Sequence, residues 1–143
     1  RFFTVYGEWG RPDMFMLKYL KNIFHKTKFE LYNKGNHFRD FTYVGDVVKI
    51  LYLLRNLKTK DHNVLNICSN NPIKITKIIS QINKITRKNP KIKLVALQKA
   101  DILKTHGCNK KIKKLTKIKS FQKINESLLK TINWYINYYK INI

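Results

Sequence analysis

Residues 1–14 read RFFTVYGEWGRPDM, and the stretch changes character halfway along. Phe2, Phe3, Val5 and Tyr6 are aromatic or β-branched and predict a short buried strand. Gly7, Gly10 and Pro12 then break the pattern, so the strand is expected to run into an irregular loop rather than a hairpin. In open α/β sheets, ligands bind in the crevice beyond the carboxyl ends of the strands. A loop at that place carrying Trp9, Arg11 and Asp13 is a site candidate; it reads equally well as a solvated connection in which Trp9 fills a gap. Chain chemistry alone leaves both readings open.

Working outward, Phe15, Leu17, Leu20 and Phe24 predict a helix over Phe15–His25, with Asp13 near its positive end. Residues 29–32 alternate as a strand, and Gly35 with two asparagines supplies a turn at 33–36. A second strand is expected at 39–44. Gly45 interrupts it, and Asp46 is the expected N-cap of a helix over 47–57, whose stripe is Val47, Ile50, Leu51, Leu54 and Leu57. Next come a strand at 63–67, a turn at 69–72, and a helix capped by Thr76 with Ile75, Ile78, Ile79, Ile82 and Ile85 on one face. Asn89–Pro90 stops that helix. A strand at 92–97 and a last helix over about 124–139 complete the chain. Strands alternating with helices predict a layered α/β or α+β structure, with no internal repeat.

At 143 residues the chain suffices for one domain with a substantial core. It opens on Arg1 inside what reads as an interior strand, so it is expected to be a fragment whose N-terminal partner is missing. No apolar run approaches a membrane span, and no leader pattern is present. Cys68 and Cys108 are too few for a disulfide framework, which fits a reducing, cytoplasmic setting. His106 and Cys108 make two metal ligands without companions, so no metal is expected.

The formal charge of +22 invites a nucleic-acid reading. Against it, only five of the 30 basic residues are Arg, the residue that base-edge and phosphate-fork recognition favours. The lysines are spread along the chain among Ile and Asn, as A/T-rich coding would deliver them. The dense run at 110–119 reads as a solvated face. A basic nucleic-acid-binding module stands as an alternative resting on charge alone, and its binding would be salt-sensitive.

Three segments carry a resemblance. The opening stretch resembles RFFTVYGPWGRPDM, a motif of the NAD-dependent epimerase/dehydratase (extended short-chain dehydrogenase) family in its UDP-glucuronate 4-epimerase branch; Glu8 stands where the family has proline. Residues 32–46, YNKGNHFRDFTYVGD, resemble YNxGxxxRDFTYxDD, with Gly45 in place of an acidic residue. Residues 97–108, LQKADILKTHGC, resemble LQPGDVxxTxAD; Lys99–Ala100 replaces Pro-Gly and Gly107–Cys108 replaces Ala-Asp. The resemblance implies an α/β fold made of the last sheet strands of a Rossmann-like domain plus a small α/β substrate-binding domain. It implies Arg39 as a clamp on a nucleotide diphosphate, a role suited to a guanidinium fork. It sets Leu31 and Tyr32 along the uracil, Gln98 and Asp101 against the nucleotide, and Thr4 near the substrate phosphate. Arg11 would face the sugar carboxylate, which a planar bidentate donor holds in one orientation. Phe2 and Phe3 would sit close to the nicotinamide, while Trp134–Tyr135 matches a packing pair in the family's last helix.

Five glycines cannot supply a Gly-x-x-Gly-x-x-Gly fingerprint, and none of the eight tyrosines is followed four residues later by Lys. In the family, both motifs precede the opening strand. The resemblance therefore implies the substrate half of an enzyme in which NAD takes a hydride from C4 of a UDP-sugar and returns it to the other face. NAD would be bound mainly by the missing portion, and the fragment alone is expected to be inactive. The family commonly dimerises through helices of that portion, which leaves a homodimer open for the complete protein. Two other readings are a UDP-sugar decarboxylase or 4,6-dehydratase, which Arg11 argues against, and a decayed remnant.

Overall fold

The computed structural model describes residues 1–57 and 62–142. Strand β1 (Thr4–Tyr6) runs parallel to β3 (Phe38–Tyr43), with Thr4 opposite Phe41 and Tyr6 opposite Tyr43. The first half of β3 pairs antiparallel with β4 (Pro72–Lys74), giving a sheet in the order β1-β3-β4. A second, parallel pair joins β2 (Glu30–Tyr32) to β5 (Lys93–Val95). Parallel neighbours require long crossovers. Helix α1 (Phe15–His25) lies on the first, while α2 (Val44–Leu54) and α3 (Ile75–Thr86) lie on the second. A short α4 (Lys110–Thr116) and the long α5 (Ile124–Tyr138) follow.

Apolar spacing explains how the helices dock. Met16, Leu17, Tyr19, Leu20 and Ile23 of α1 meet Ile75, Ile78, Ile79 and Ile82 of α3 and Leu128, Ile132 and Tyr135 of α5 in one core, closed by Tyr6, Phe41 and Tyr43 from the sheet. The buried Tyr6 hydroxyl bonds with Ser127 Oγ, joining β1 to α5. A smaller core of Val47, Ile50, Ile67, Ile112 and Ile118 lies under α2 and α4.

Several local expectations are corrected. Helix α2 starts at Val44, so Gly45 lies inside its first turn, and Tyr43 rather than Asp46 precedes it. The buried Asp46 carboxylate instead accepts the Gln122 amide at 2.8 Å, next to the start of α5. Thr76 likewise lies within α3, which begins at Ile75 after Lys74. In place of a strand over 63–67, Ile67 forms a parallel bridge with Phe2 and Leu65 O accepts from the Arg1 terminus. Pro72, expected in a turn, opens β4 at the sheet edge, where its missing N–H costs nothing. The lysine run folds as α4 because Ile112 and Thr116, one turn apart, are buried while Lys110, Lys111 and Lys114 face solvent.

The opening loop is tied down by a neighbour of its own departure from the motif. Tyr43 Oη donates to Glu8 Oε1 at 2.8 Å, and a Cβ at Gly45 would lie 2.5 Å from the Tyr43 ring. Burial, and then the Glu8 hydrogen bond, push the Tyr43 phenol up to about 12. Gly107 is as crowded: a Cβ there would overlap Cys68 Sγ and approach Phe3 Cζ to 2.7 Å. Burial first, then the Asp40 carboxylate, push the Cys68 thiol up to about 11, so it packs as a small apolar group.

Gly107→Ala is expected to destabilise the chain by about 1–3 kcal/mol through overpacking, and Cys68→Ala in the same chain to recover only part of it, because Phe3 Cζ and Cys68 Cβ still lie 2.7 and 2.8 Å from the added methyl. Urea denaturation of the single and double variants measures this; additive losses would refute the contact. Because the folded Tyr43 phenol holds its proton more tightly than an unfolded one, its contribution is complete below about pH 10 and is lost as pH rises toward 12. The stability gap between wild type and Tyr43→Phe should therefore shrink over that window, and a constant gap would contradict the assignment.

Candidate functional site

Beside Thr4, the first residue of β1, a cleft of about 430 Å³ opens between the start of α1, β2, β3 and the loop after β5. Strand alternation decides which side chains enter it. His37, Arg39 and Phe41, two residues apart, line the cleft, whereas Asp40 and Thr42 point the other way into the protein. The Arg39 guanidinium, 20% exposed, donates from Nη2 to Asp101 Oδ1 at 2.9 Å and from Nη1 to its neighbour's carbonyl, Phe38 O, at 3.0 Å. His37 Nε2 lies 3.1 Å from the other carboxylate oxygen, Asp101 Oδ2, but is not aligned as a hydrogen bond. One carboxylate thus faces both a guanidinium and a buried imidazole.

Asp101 is delivered by backbone as well as side chain. Phe38 N donates to Leu103 O at 2.8 Å and Thr105 N to Phe38 O at 3.0 Å, laying residues 103–105 along β3. The turn before them closes with Asp101 N on Gln98 O at 3.0 Å. On the opposite wall, Leu31 and Tyr32 border the cleft with Phe29, an apolar and aromatic shelf facing the charged trio. Tyr32 Oη donates to Glu30 Oε2 at 3.4 Å, and Lys93, 2.9 Å from Glu30, holds that carboxylate below its ordinary range.

Of the residues singled out in the sequence, Thr4, Leu31, Tyr32, Arg39 and Asp101 share this cleft. Gln98 is exposed at its margin and does not line it. Arg11 lines a much smaller depression beside β1. It is 75% exposed and clasps Asp13, with Nη2–Oδ2 at 2.5 Å and Nε–Oδ1 at 3.1 Å. That hydrogen-bonded pair holds the Asp13 carboxyl below, and the Arg11 guanidinium above, their usual values. Asp13 itself borders the main cleft, but the two guanidinium groups do not converge on it. Phe2 is 59% exposed beside Ile67, and Phe3 is half-buried against Gly107. Trp9, one of the two readings of the opening loop, packs tilted against Trp134 and edge-on against Tyr138 of α5 at centroid distances of 5.3 and 5.0 Å.

His37 and Lys18 were not singled out in the sequence. The signal for His37 was its place two residues before Arg39 on a strand, which puts both on one face. Lys18 sits one turn after Met14 on α1, and only the fold brings it to the cleft. Among the described residues, no group of three or more His, Cys, Asp or Glu could hold a metal ion, and no helix is long and apolar enough to cross a membrane.

Residues 1–68 match the model of the NAD dependent epimerase/dehydratase family. The chain is 41% identical over 137 residues to the uncharacterized protein MJ1055 of Methanocaldococcus jannaschii, covering 95% of this chain and 41% of that one. It is 33% identical over 135 residues to UDP-glucuronate 4-epimerase of Thermodesulfobacterium geofontis, covering 94% and 41%. Among solved structures, MoeE5 in complex with UDP-glucuronic acid and NAD superposes with a TM-score of 0.91 at 28% identity, over 96% of this chain and 46% of that one. The chain spans less than half the length of these relatives. The mixed α/β architecture expected from the sequence is the one they share. The opening 68 residues match the NAD dependent epimerase/dehydratase family, and the relatives above extend the likeness over nearly all of the chain.

Proposed function

We propose that this chain is the substrate-binding portion of an NAD-dependent nucleotide-sugar 4-epimerase that interconverts UDP-glucuronate and UDP-galacturonate, and that the NAD-binding portion lies outside it. The observation that carries the reading is the cleft in which Arg39 and Asp101 face the Leu31–Tyr32 shelf. In this reading the Arg39 fork takes the diphosphate. Leu31, Tyr32 and Phe29 border the uracil, and the Asp101 carboxylate accepts a ribose hydroxyl. Thr4, the first residue of β1, lines the same cleft and would lie near the substrate phosphate. The reading is supported by the 33% identity to a UDP-glucuronate 4-epimerase and by the shared fold with a protein solved with UDP-glucuronic acid and NAD.

The residues of this chain do not by themselves fit NAD. A Cβ built on any of the five glycines meets this chain's own atoms, so no glycine leaves an open phosphate cradle. Phe2, exposed at the sheet edge, is the most accessible of the two residues expected near a nicotinamide. What the chain supplies is binding and orientation, and no chemical step is assigned to it. A UDP-sugar decarboxylase or 4,6-dehydratase is favoured by one observation, that Arg11 is turned onto Asp13 instead of into the cleft.

Calorimetric titration of UDP-glucuronate into the chain should give saturable binding, weakened about tenfold or more by Arg39→Lys, which loses the planar fork. Undiminished binding would sink the phosphate role. In the complete enzyme, UDP-galacturonate is the expected product; UDP-xylose alone would assign the decarboxylase. There, Arg11→Ala should weaken carboxylated UDP-sugars more than neutral ones, and equal losses would remove Arg11 from sugar recognition.

A further inference from the structure

Resting on the nucleotide-sugar reading of the cleft, we propose that His37 is a positioning residue. It takes over the Asp101 carboxylate when Arg39 turns to a ligand diphosphate, so that the cleft binds nucleotide-sugars more tightly when the imidazole is protonated.

The argument begins with an imbalance. Asp101 is held by Arg39 on Oδ1, and Arg39 is also the group that would clamp the diphosphate. A guanidinium drawn onto phosphate oxygens leaves its former carboxylate partner behind, partly buried at 27% exposure and now beside a second anion. Two anions in a cleft with restricted water repel strongly. The nearest remaining group is the imidazole, 6% exposed, with Nε2 3.1 Å from Asp101 Oδ2. That nitrogen is a buried polar atom without an aligned hydrogen-bond partner, and protonation of the ring makes it a donor within reach of Asp101.

Charge arithmetic gives the direction. Arg39, Asp101 and a neutral His37 sum to zero; protonation of the imidazole makes the trio cationic. The other charged or titratable groups on the cleft wall are Lys18 from α1, Glu30 and Tyr32 from β2, and Asp13 from the opening loop, while α3 contributes only the uncharged Ile75. The other histidines do not line it. Imidazole is the side chain whose charge ordinarily changes between pH 5 and 8. The backbone of His37 is fixed independently, with its carbonyl accepting Ile75 N at 2.9 Å, so a substitution of the ring leaves the strand pairing in place.

The test uses UDP-glucose, whose diphosphate diester does not titrate across this range, followed by calorimetry on the full chain between about pH 5.5 and about pH 8. Wild type should lose about three- to tenfold in affinity over that rise, and His37→Gln, a neutral donor, should bind with a nearly flat profile. By linkage, UDP-glucose should raise the pH at which the His37 ring resonances titrate in NMR by a matching amount. A flat wild-type profile, or a slope that His37→Gln leaves unchanged, overturns the role of His37 while the cleft reading stands. Absence of UDP-glucose binding at every pH overturns the cleft reading and this inference together.

Discussion

The structure turns on one carboxylate that water does not reach. Asp40 is fully buried in the middle of β3, and its two oxygens accept the Ser69 hydroxyl at 2.7 Å and the Gly107 amide at 2.9 Å. Its own amide donates to Thr105 Oγ1 at 3.2 Å. A buried carboxylate is tolerated only when donors surround it, and donors so arranged are costly to leave empty. Asp40 therefore binds three distant pieces of chain: the sheet, the turn before β4, and the segment that carries Asp101. With residues 105–107 fixed on one face of β3, Asp101 has a fixed approach to Arg39 on the other.

Departures from the family motif are absorbed locally. Glu8, where the motif has proline, receives the Tyr43 hydroxyl, and that ring covers Gly45, where the motif has an acidic side chain. Gly107, where the motif has alanine, makes room for the Cys68 thiol. These positions differ from the motif one by one in the sequence yet pack as two groups. The cleft residues Arg39 and Asp101 lie outside both groups and keep their mutual contact.

The core was legible where helical spacing held: Ile75, Ile78, Ile79 and Ile82 of α3 and Leu17 and Leu20 of α1 are buried as their periodicity requires, whereas Leu51 and Leu57, expected in the stripe with Val47 and Ile50, are 47% and 38% exposed. Helix starts were not. Val44, Ile75 and Ile124 all open helices with no side-chain cap, so the polar residues Asp46 and Thr76 misled, lying three and two residues beyond the caps Tyr43 and Lys74. The helix in the lysine run was hidden because only Ile112 and Thr116 mark its inner face. Five members of the site were legible through the resemblance, since family motifs carry spatial information that composition lacks. His37 and Lys18 were not, because their relevance exists only once β3 and α1 meet. The orientation of Arg11 was beyond sequence reasoning, since it is set by a side-chain clasp on Asp13, two residues away.

That clasp has a kinetic and thermodynamic meaning for anything arriving from solution. Asp13 is a tethered rival for the guanidinium, present at the millimolar effective concentration of a short flexible link. Both side chains are largely exposed, so their pairing is worth little in absolute terms. A free carboxylate must match that millimolar local concentration to win the guanidinium. An acid held beside the loop as part of a larger ligand meets the same threshold from far more dilute solution.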